Sequence, residues 1–259
     1  MQSEKKPLIT VITATYNSLD IIERCINSVL SQTYKNVEHV IVDGASKDGT
    51  VDILKKYGSE TTKWISEPDT GVYDAWNKGI DLSKGDWILF IGADDALYED
   101  AIENYVEYLN NNDNTYDFVS SRIHITNSKN KVIRTLGWAW DWRSSRKRNN
   151  IAHPGSFHSK SLFAKYGKYN TEYGIVGDYE LLLRGRDEMK AGFMDKVTVR
   201  MEVGGISDSY RVYLETYKAI TRTGKLNKIV AGLDILKEYS KFLIRRAFRS
   251  VGINIALKK

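Results

Sequence analysis

Several absences narrow this chain of 259 residues before any motif is read. It has one cysteine, Cys25, so no disulfide can form within it. Cys25 lies among Ile21, Ile22, Ile26 and Val29, which reads as a small core position rather than a reactive thiol. No Cys/His cluster has zinc spacing. There are only three prolines, no low-complexity tract and no internal repeat, which argues against long disordered segments. No apolar run reaches the length of a membrane span. The opening residues, MQSEKKPLITVITATYN, fit a first strand better than a signal peptide, so the cytoplasm is the expected location. Glycine is missing where a nucleotide-binding loop would need it. After the first apolar run comes Thr13-Ala14-Thr15-Tyr16-Asn17-Ser18, not G-x-G-x-x-G, and no G-x-x-x-x-G-K-[ST] occurs anywhere.

What is present is ordinary in bulk. Hydrophobic residues make up 42% and charged residues 27%, as in a soluble globular protein, and the length suits one large α/β domain with an appendage or two small domains. The net charge of +5 is unevenly spread. Lys225 to Lys259 holds nine Lys or Arg against two acids, Asp234 and Glu238, a net of +7, which leaves −2 for residues 1 to 224. A basic surface over the whole fold is thereby excluded, and with it a nucleic-acid partner.

The chain is organised around Gly85-Asp86-Trp87-Ile88-Leu89-Phe90-Ile91-Gly92-Ala93-Asp94-Asp95. Trp87 to Ile91 reads as a strand buried on both faces, as in a parallel sheet. Ligands of open α/β sheets sit beyond the carboxyl ends of the strands. Two adjacent acids there suit a hard divalent cation that also carries substrate phosphates. The alternative is that Asp94 or Asp95 caps a helix expected over Leu97 to Leu109.

The rest of the first half alternates. Leu8 to Thr13 is a strand, and Ser18 can cap a helix with one apolar face at Ile21, Ile22, Cys25, Ile26, Val29 and Leu30. Val37 to Val42 is a second strand ending in Asp43-Gly44-Ala45-Ser46, with a short helix through Val51, Ile53 and Leu54. Thr61 to Ser66 is a third, and Glu67 to Gly71 leads into a helical run over Val72 to Leu82. Strands alternating with helices predict βαβ units and a parallel sheet. Each strand end carries polar residues: Thr15, Tyr16 and Asn17; Asp43 and Ser46; Asp69; Asp94 and Asp95. They should converge on one edge, and four polar strand ends are more than capping requires.

These residues resemble family 2 glycosyltransferases of the GT-A fold. The likeness lies in Thr13 to Asn17, in Val42 to Thr50 (VDGASKDGT), in Gly71 to Ile80 (GVYDAWNKGI) and in Gly92 to Asp95, the family's D-x-D region. It covers about residues 7 to 205, and the GVYDAWNKGI run is similar to enzymes that build bacterial surface polysaccharides. The chain departs from the family twice. Asp43-Gly44 stands where Asp-Asp is frequent, which leaves open whether Asp43 or the missing position reads the nucleobase. Gly92 stands where D-x-D begins.

The resemblance implies a Rossmann-like, mostly parallel sheet flanked by helices. A catalytic domain over 1–208 would hold its nucleotide-sugar half in about 1–115 and its acceptor half in about 116–208, with a basic amphipathic helical extension over 209–259. It implies an inverting hexosyl- or N-acetylhexosaminyltransferase using Mn²⁺ or Mg²⁺ and a nucleotide-diphosphate donor, with a UDP-sugar as the expected one. Asp95 would be the direct metal ligand and Asp94 would lie near the ribose and metal. Ala14, Thr15, Tyr16, Asn17, Asp43, Asp69, Asn77 and Lys78 would meet the donor. In the second half, Tyr116 to Thr126 and Lys131 to Leu136 read as paired strands, and Phe193 to Val203 as a closing one. Trp138, Trp140 and Trp142 could face one side of an extended segment before Arg143, Arg146, Lys147 and Arg148, as an acceptor surface or as a core-facing edge. His153 is a further acceptor-side candidate. Gly177-Asp178-Tyr179-Glu180 is similar to the family's E-D or G-D motif, with Asp178 as catalytic base and Glu180 as its understudy.

Leu226, Ile229, Val230, Leu233, Leu236, Tyr239 and Leu243 recur at helical spacing among Lys and Arg. Such a helix over about 225–250 can lie on the inner face of the plasma membrane, where a polyprenyl-linked acceptor would be found, or pack on the domain or a second copy. Two rivals to the transferase reading are a non-catalytic nucleotide-sugar-binding protein and a sugar nucleotidyltransferase. The second lacks its phosphate loop here.

Overall fold

The structure, a computed structural model, describes residues 6–59, 61–112, 115–127, 129–204 and 209–250. Strands and helices alternate as the pattern predicts: β1 (Ile9–Thr15), α1 (Ile22–Leu30), β2 (Val37–Asp43), α2 (Thr50–Tyr57), β3 (Thr62–Ser66), α3 (Val72–Leu82) and β4 (Trp87–Gly92). A two-residue β5 (Ala96–Leu97) and α4 (Ala101–Asn111) follow. The second half holds β6 (Phe118–Thr126), β7 (Val132–Leu136), α5 (Trp142–Ser145), β8 (Ser156–Ser159), α6 (Lys160–Tyr166), α7 (Gly177–Gly185) and β9 (Ala191–Glu202). Two helices, α8 (Arg211–Arg222) and α9 (Lys228–Ser250), end the described chain.

The strands form one sheet in the order β3-β2-β1-β4-β8-β6-β9-β5, with β7 on the second half of β6. β3, β2, β1 and β4 run parallel, β8 enters antiparallel between β4 and β6, and β6 and β9 are again parallel. The central strand explains its own composition. Trp87, Leu89 and Ile91 face a cluster with α1 and α4, while Ile88 and Phe90 face another with α3, α6 and α7. With helices on both faces, neither side tolerates polar residues. Cutting Phe90 back to Ala would cost about 3–5 kcal/mol.

Local details differ from the expectation at three points. Ser18 does not cap α1 with its side chain; its carbonyl accepts from the N–H groups of Ile21 and Ile22 at 3.1 and 3.0 Å, and the helix begins at Ile22. The helix expected from Leu97 starts at Ala101, because the chain first pairs Ala96 and Leu97 with β9. Its N-cap is Asp100, so neither Asp94 nor Asp95 is a capping residue. The tryptophan segment does not stay extended, since Trp142 opens α5.

The C-terminal helices are fastened to the rest. Tyr179 and Leu183 of α7 share a core with Ala219 and Ile220 of α8 and with Leu226 and Ala231. Arg148 donates to Glu238 of α9 at 2.5 Å. The boundary expected at 208 and the terminal Lys258 and Lys259 lie outside the described residues.

Candidate active site

Register places the strand ends together. Thr15 pairs with Asp43, Asp43 with Ser66, and Ala14 with Gly92, so the polar termini of β1, β2, β3 and β4 share the carboxyl edge of the sheet. The loops that leave this edge are tied to each other. Gly44 N–H donates to the Thr15 carbonyl at 2.9 Å, Asn17 N–H to Ser46 Oγ at 2.7 Å, and Lys47 N–H to Asn17 Oδ1 at 3.0 Å. Asn17 (φ 48°) and Ala45 (φ 61°) adopt the left-handed backbone that this close approach demands. Asn17 therefore spends its amide oxygen on loop geometry. Tyr16 is left standing out of the edge, 64% exposed. The Thr15 hydroxyl is buried and has no hydrogen-bond partner among the described residues.

Asp43 is fully buried (0% exposed). One oxygen accepts from the Ser46 hydroxyl, the other from Ser46 N–H at 2.9 Å and Ser66 Oγ at 2.6 Å. The carboxylate pins the loop after β2.

After β4 the chain makes a tight turn, with Asp95 N–H donating to the Gly92 carbonyl at 3.1 Å and Gly92 N–H to Asp95 Oδ2 at 2.8 Å. A Cβ at Gly92 would stand 2.6 Å from Asp94 Oδ1, so a side chain there would shift the Asp94 carboxylate. The turn separates the two acids. Asp95 is 3% exposed, and burial, with the Asp94 charge adding to it, pushes its carboxyl up to about 8 against the opposing pull of Gly92 N–H and Arg24. Asp94 is half-buried, and its carbonyl accepts from Arg24 at 2.7 Å. Asp94 is the more open of the two carboxylates, and Asp95, the expected direct ligand, stands behind it in the turn.

Would a divalent cation fit here? Among the described residues, no group of three or more His, Cys, Asp or Glu is placed to hold one alone. A cation that takes one or two carboxylates and completes its shell with water and phosphate oxygens suits this donor set; one needing a closed protein cage does not.

Asp178 begins α7. Tyr73, in the first turn of α3, reaches it with a hydroxyl 2.9 Å from Asp178 Oδ1 and 2.8 Å from the Ile175 carbonyl. α3 starts just beyond the carboxyl end of β3, so this contact brings Asp178 to the same edge as Asp94 and Asp95. Burial pushes the Asp178 carboxyl above its ordinary value, while the helix N–H groups and the Tyr73 hydroxyl pull it back. Gly177 is tight against the tyrosine; a Cβ there would stand 2.9 Å from two ring carbons. The loop before Asp178 is held from below by Glu215 of α8, which accepts from the N–H groups of Gly174, Ile175 and Val176 at 3.2, 2.8 and 3.2 Å. Tyr73 lay inside a quoted motif without a role, and Glu215 carried no sequence signal.

Other expected contacts are turned inward. Asn77 exchanges two hydrogen bonds with the Tyr169 backbone, at 2.9 and 3.0 Å, and clamps α3 to that segment. Lys78 is bound to Glu67 (2.9 Å) and the Pro68 carbonyl (2.7 Å). His153 is buried, stacked on Trp76 at 4.6 Å and hydrogen-bonded to the Tyr169 hydroxyl at 2.9 Å; burial drives its imidazole down to about 3, so it is neutral. Glu180 is buried and paired with Arg184 (2.5 Å) and the Thr223 hydroxyl (2.7 Å). Trp140 packs between two cores and reaches the Arg186 carbonyl at 3.4 Å. Trp138 is exposed. Asp69 stays at the edge: its Oδ1 accepts from Gly71 N–H at 2.9 Å, and its Oδ2 lies over Gly44, where a Cβ would meet it at 2.7 Å.

A parallel sheet with acids at its carboxyl edge, extended by a second mixed half, is the architecture of the GT-A sugar transferases. The chain belongs to glycosyl transferase family 2, whose model matches residues 10–166, more than half of it; it is a glycosyltransferase. The "PGL/p-HBAD biosynthesis glycosyltransferase" of Mycobacterium tuberculosis is 30% identical over 84% of this chain and 87% of its own. An uncharacterized glycosyltransferase of Rickettsia typhi is 27% identical over 88% of this chain and 74% of its own. Solved structures share the fold. Staphylococcus aureus TarS 1–349 in complex with UDP-GlcNAc superposes with a TM-score of 0.65 at 17% identity, covering 93% of this chain and 72% of that one. The mannosyltransferase PcManGT from Pyrobaculum calidifontis, with GDP-Man and Mn²⁺, gives 0.65 at 18%, covering 89% and 70%. Against the longer TarS chain the coverage is 43% of that protein. Family membership sets aside the non-catalytic and nucleotidyltransferase alternatives.

Proposed function

We propose that this glycosyltransferase moves a hexose or N-acetylhexosamine from a nucleoside-diphosphate donor to a hydroxyl of a glycan or polyprenyl-linked acceptor, with inversion at the anomeric carbon. The observation that carries this reading is the Tyr73–Asp178 contact, which fixes a carboxylate of raised proton affinity on the edge that holds Asp94. Asp178 takes the proton of the acceptor hydroxyl as it attacks. Tyr73 and the α7 N-terminus keep that carboxyl oriented and ionisable. Tyr16 offers its open ring to the nucleobase, and Ala14 and Thr15 line the floor between them. A Mg²⁺ or Mn²⁺ ion held by Asp94, backed by Asp95, would supply charge neutralisation for the leaving diphosphate.

Surface-polysaccharide or glycolipid synthesis fits the relatives' names, and a lipid-linked acceptor fits α9, whose apolar face is exposed beside lysines and arginines. No helix among the described residues is long and apolar enough to cross a membrane, so the contact would be peripheral, on the inner face of the plasma membrane. The test is a panel of sugar nucleotides scored for thermal stabilisation with manganese and with chelator, followed by transfer to acceptors and assignment of the product anomer. A manganese-dependent shift for one donor and an inverted product are expected. No shift for any donor, or a retained configuration, would overturn the reading.

A further inference from the structure

Beside its apolar face, α1 carries a line of polar side chains that fastens the segment bearing the two acids. Arg24, Ser28 and Gln32 recur every four residues, which puts them one above another along the helix and its end. Gln32 is buried; it donates to the Tyr98 carbonyl at 2.7 Å and accepts from Ile102 N–H at 3.1 Å. Ser28 Oγ accepts from Leu97 N–H at 3.1 Å. Arg24 takes the end nearest the acids. Its Nη2 donates to the Asp94 carbonyl at 2.7 Å, and the Cys25 thiol beside it reaches the Gly92 carbonyl at 3.5 Å.

An arginine next to two acids would ordinarily pair with their carboxylates, the stronger acceptors. Arg24 does not. Its ion pair is with Glu202 at the end of β9, 178 positions away, with 3.5 Å between Nη2 and Oε2. Among the described residues, neither Asp94 nor Asp95 is in an ion pair. The difference matters chemically. A guanidinium on the Asp94 carboxylate would occupy the oxygens that a hard cation takes. A guanidinium on the Asp94 carbonyl fixes the peptide and leaves those oxygens open. Glu202 supplies the acid that Arg24 would otherwise find in Asp94. Both side chains are partly buried, 38% and 27% exposed, so the pair is less screened than one on the open surface.

We infer that Arg24 is the positioning residue of the Asp94 turn, and that Glu202 holds its guanidinium off the Asp94 carboxylate so that this acid stays open to a divalent cation and the donor diphosphate. This rests on the proposed nucleotide-sugar reading and deepens it. The two residues fail differently when removed. Without Arg24 the turn keeps its own Gly92–Asp95 hydrogen bonds but loses its tie to α1, and Asp94 is no longer aimed. Without Glu202 the guanidinium turns to the next acid, Asp94, and competes with the cation.

The experiment is titration calorimetry of UDP, dTDP, GDP, CDP and ADP into the full chain, with chelator and over a manganese series, with melting temperatures read alongside. Wild type should bind at least one of them more tightly with manganese. Arg24→Ala should cut that gain by about tenfold, the scale of one charge-assisted hydrogen bond, and leave the affinity in chelator unchanged. Arg24→Lys still donates to a carbonyl and should recover part of the gain. Glu202→Ala should raise the manganese needed for half the gain, and adding Arg24→Ala should remove that effect, since no competing cation remains. Gln32→Ala, at the far end of the line, should lower the melting temperature and spare the gain. A wild type that binds none of the nucleotides, or gains nothing from manganese, overturns the nucleotide-sugar and cation reading and this inference with it. A wild-type gain that survives in Arg24→Ala, that falls equally in Arg24→Ala and Gln32→Ala, or whose manganese requirement is unchanged in Glu202→Ala, overturns the inference alone.

Discussion

The Tyr73 hydroxyl lies 2.9 Å from Asp178 Oδ1 although the two residues are 105 positions apart, and it joins the first turn of α3 to the first turn of α7. The hydroxyl has one proton and two acceptors, the Asp178 carboxylate and the Ile175 carbonyl. It favours the ionised carboxylate and so opposes the upward push of burial. A general base works only when ionised, so turnover should be lost as pH falls through a value above the ordinary 3.8. Tyr73→Phe removes the opposing hydrogen bond, raises the carboxyl further and should move the acidic limb of the kcat profile to higher pH. A limb that stays in place, or moves down, would contradict the assignment. Asp178→Asn should leave donor affinity nearly intact and lower turnover by about 10²-fold or more.

Glu215 gives a separate handle on the same loop. It gathers three backbone N–H groups just ahead of Asp178, from a helix outside the span matched by the family model. Glu215→Ala leaves those donors without their carboxylate and should cost about 1–3 kcal/mol, which for a chain of this size lowers Tm by about 2–4 °C per kcal/mol. Turnover should fall with it while donor KM is held, since Glu215 touches the loop and no strand end. If instead KM rises and kcat is kept, the α8 contact does not serve Asp178.

What could be read in advance was the frame. Trp87 to Ile91 shows its two-sided burial as a plain apolar run, and polar residues at four strand ends are placed by topology alone. What could not be read was where side chains point within that frame. Asn77 and Tyr169 are 92 residues apart and satisfy each other in both directions; nothing periodic marks such a pair. His153 likewise finds Tyr169 inside an aromatic core, where burial decides its charge. Lys78 and Glu180 are charged residues in matched motif positions, yet each is neutralised by a neighbour, Glu67 or Arg184. A motif match fixes the backbone position of such residues and leaves their direction to local geometry.

The turn after β4 assigns the two acids different tasks. Asp95 secures the turn through Gly92 N–H, and Asp94 is the more open one. Asp94→Ala should therefore abolish the difference between donor affinity with manganese and with chelator. Asp95→Asn retains an acceptor for Gly92 N–H and should retain most of the manganese response. Calorimetric titration of donor into each variant, with and without chelator, decides between them. Loss of the response in Asp95→Asn with its survival in Asp94→Ala would return Asp95 to the position of ligand.

Ile229, Leu233 and Leu236 of α9 are 74%, 64% and 61% exposed and recur at helical spacing, with Leu243 and Ile244 continuing the apolar face. Lys228, Lys237 and Arg246 are exposed on the same helix, whereas the acid Glu238 is turned to Arg148 and Lys241. Charge and apolar surface together match an anionic bilayer better than a neutral one. The full chain should sediment with phosphatidylglycerol vesicles, less with phosphatidylcholine vesicles, and less again as salt rises, because exposed charges are screened. Leu233→Glu with Leu236→Glu should release it from the vesicles without lowering donor hydrolysis, since neither residue belongs to the buried core that joins α9 to α7. Equal binding to both vesicle types would remove the electrostatic part of the proposal. Release of a stable dimer by the same double variant, with no vesicle binding in wild type, would reassign the face to a second copy of the chain.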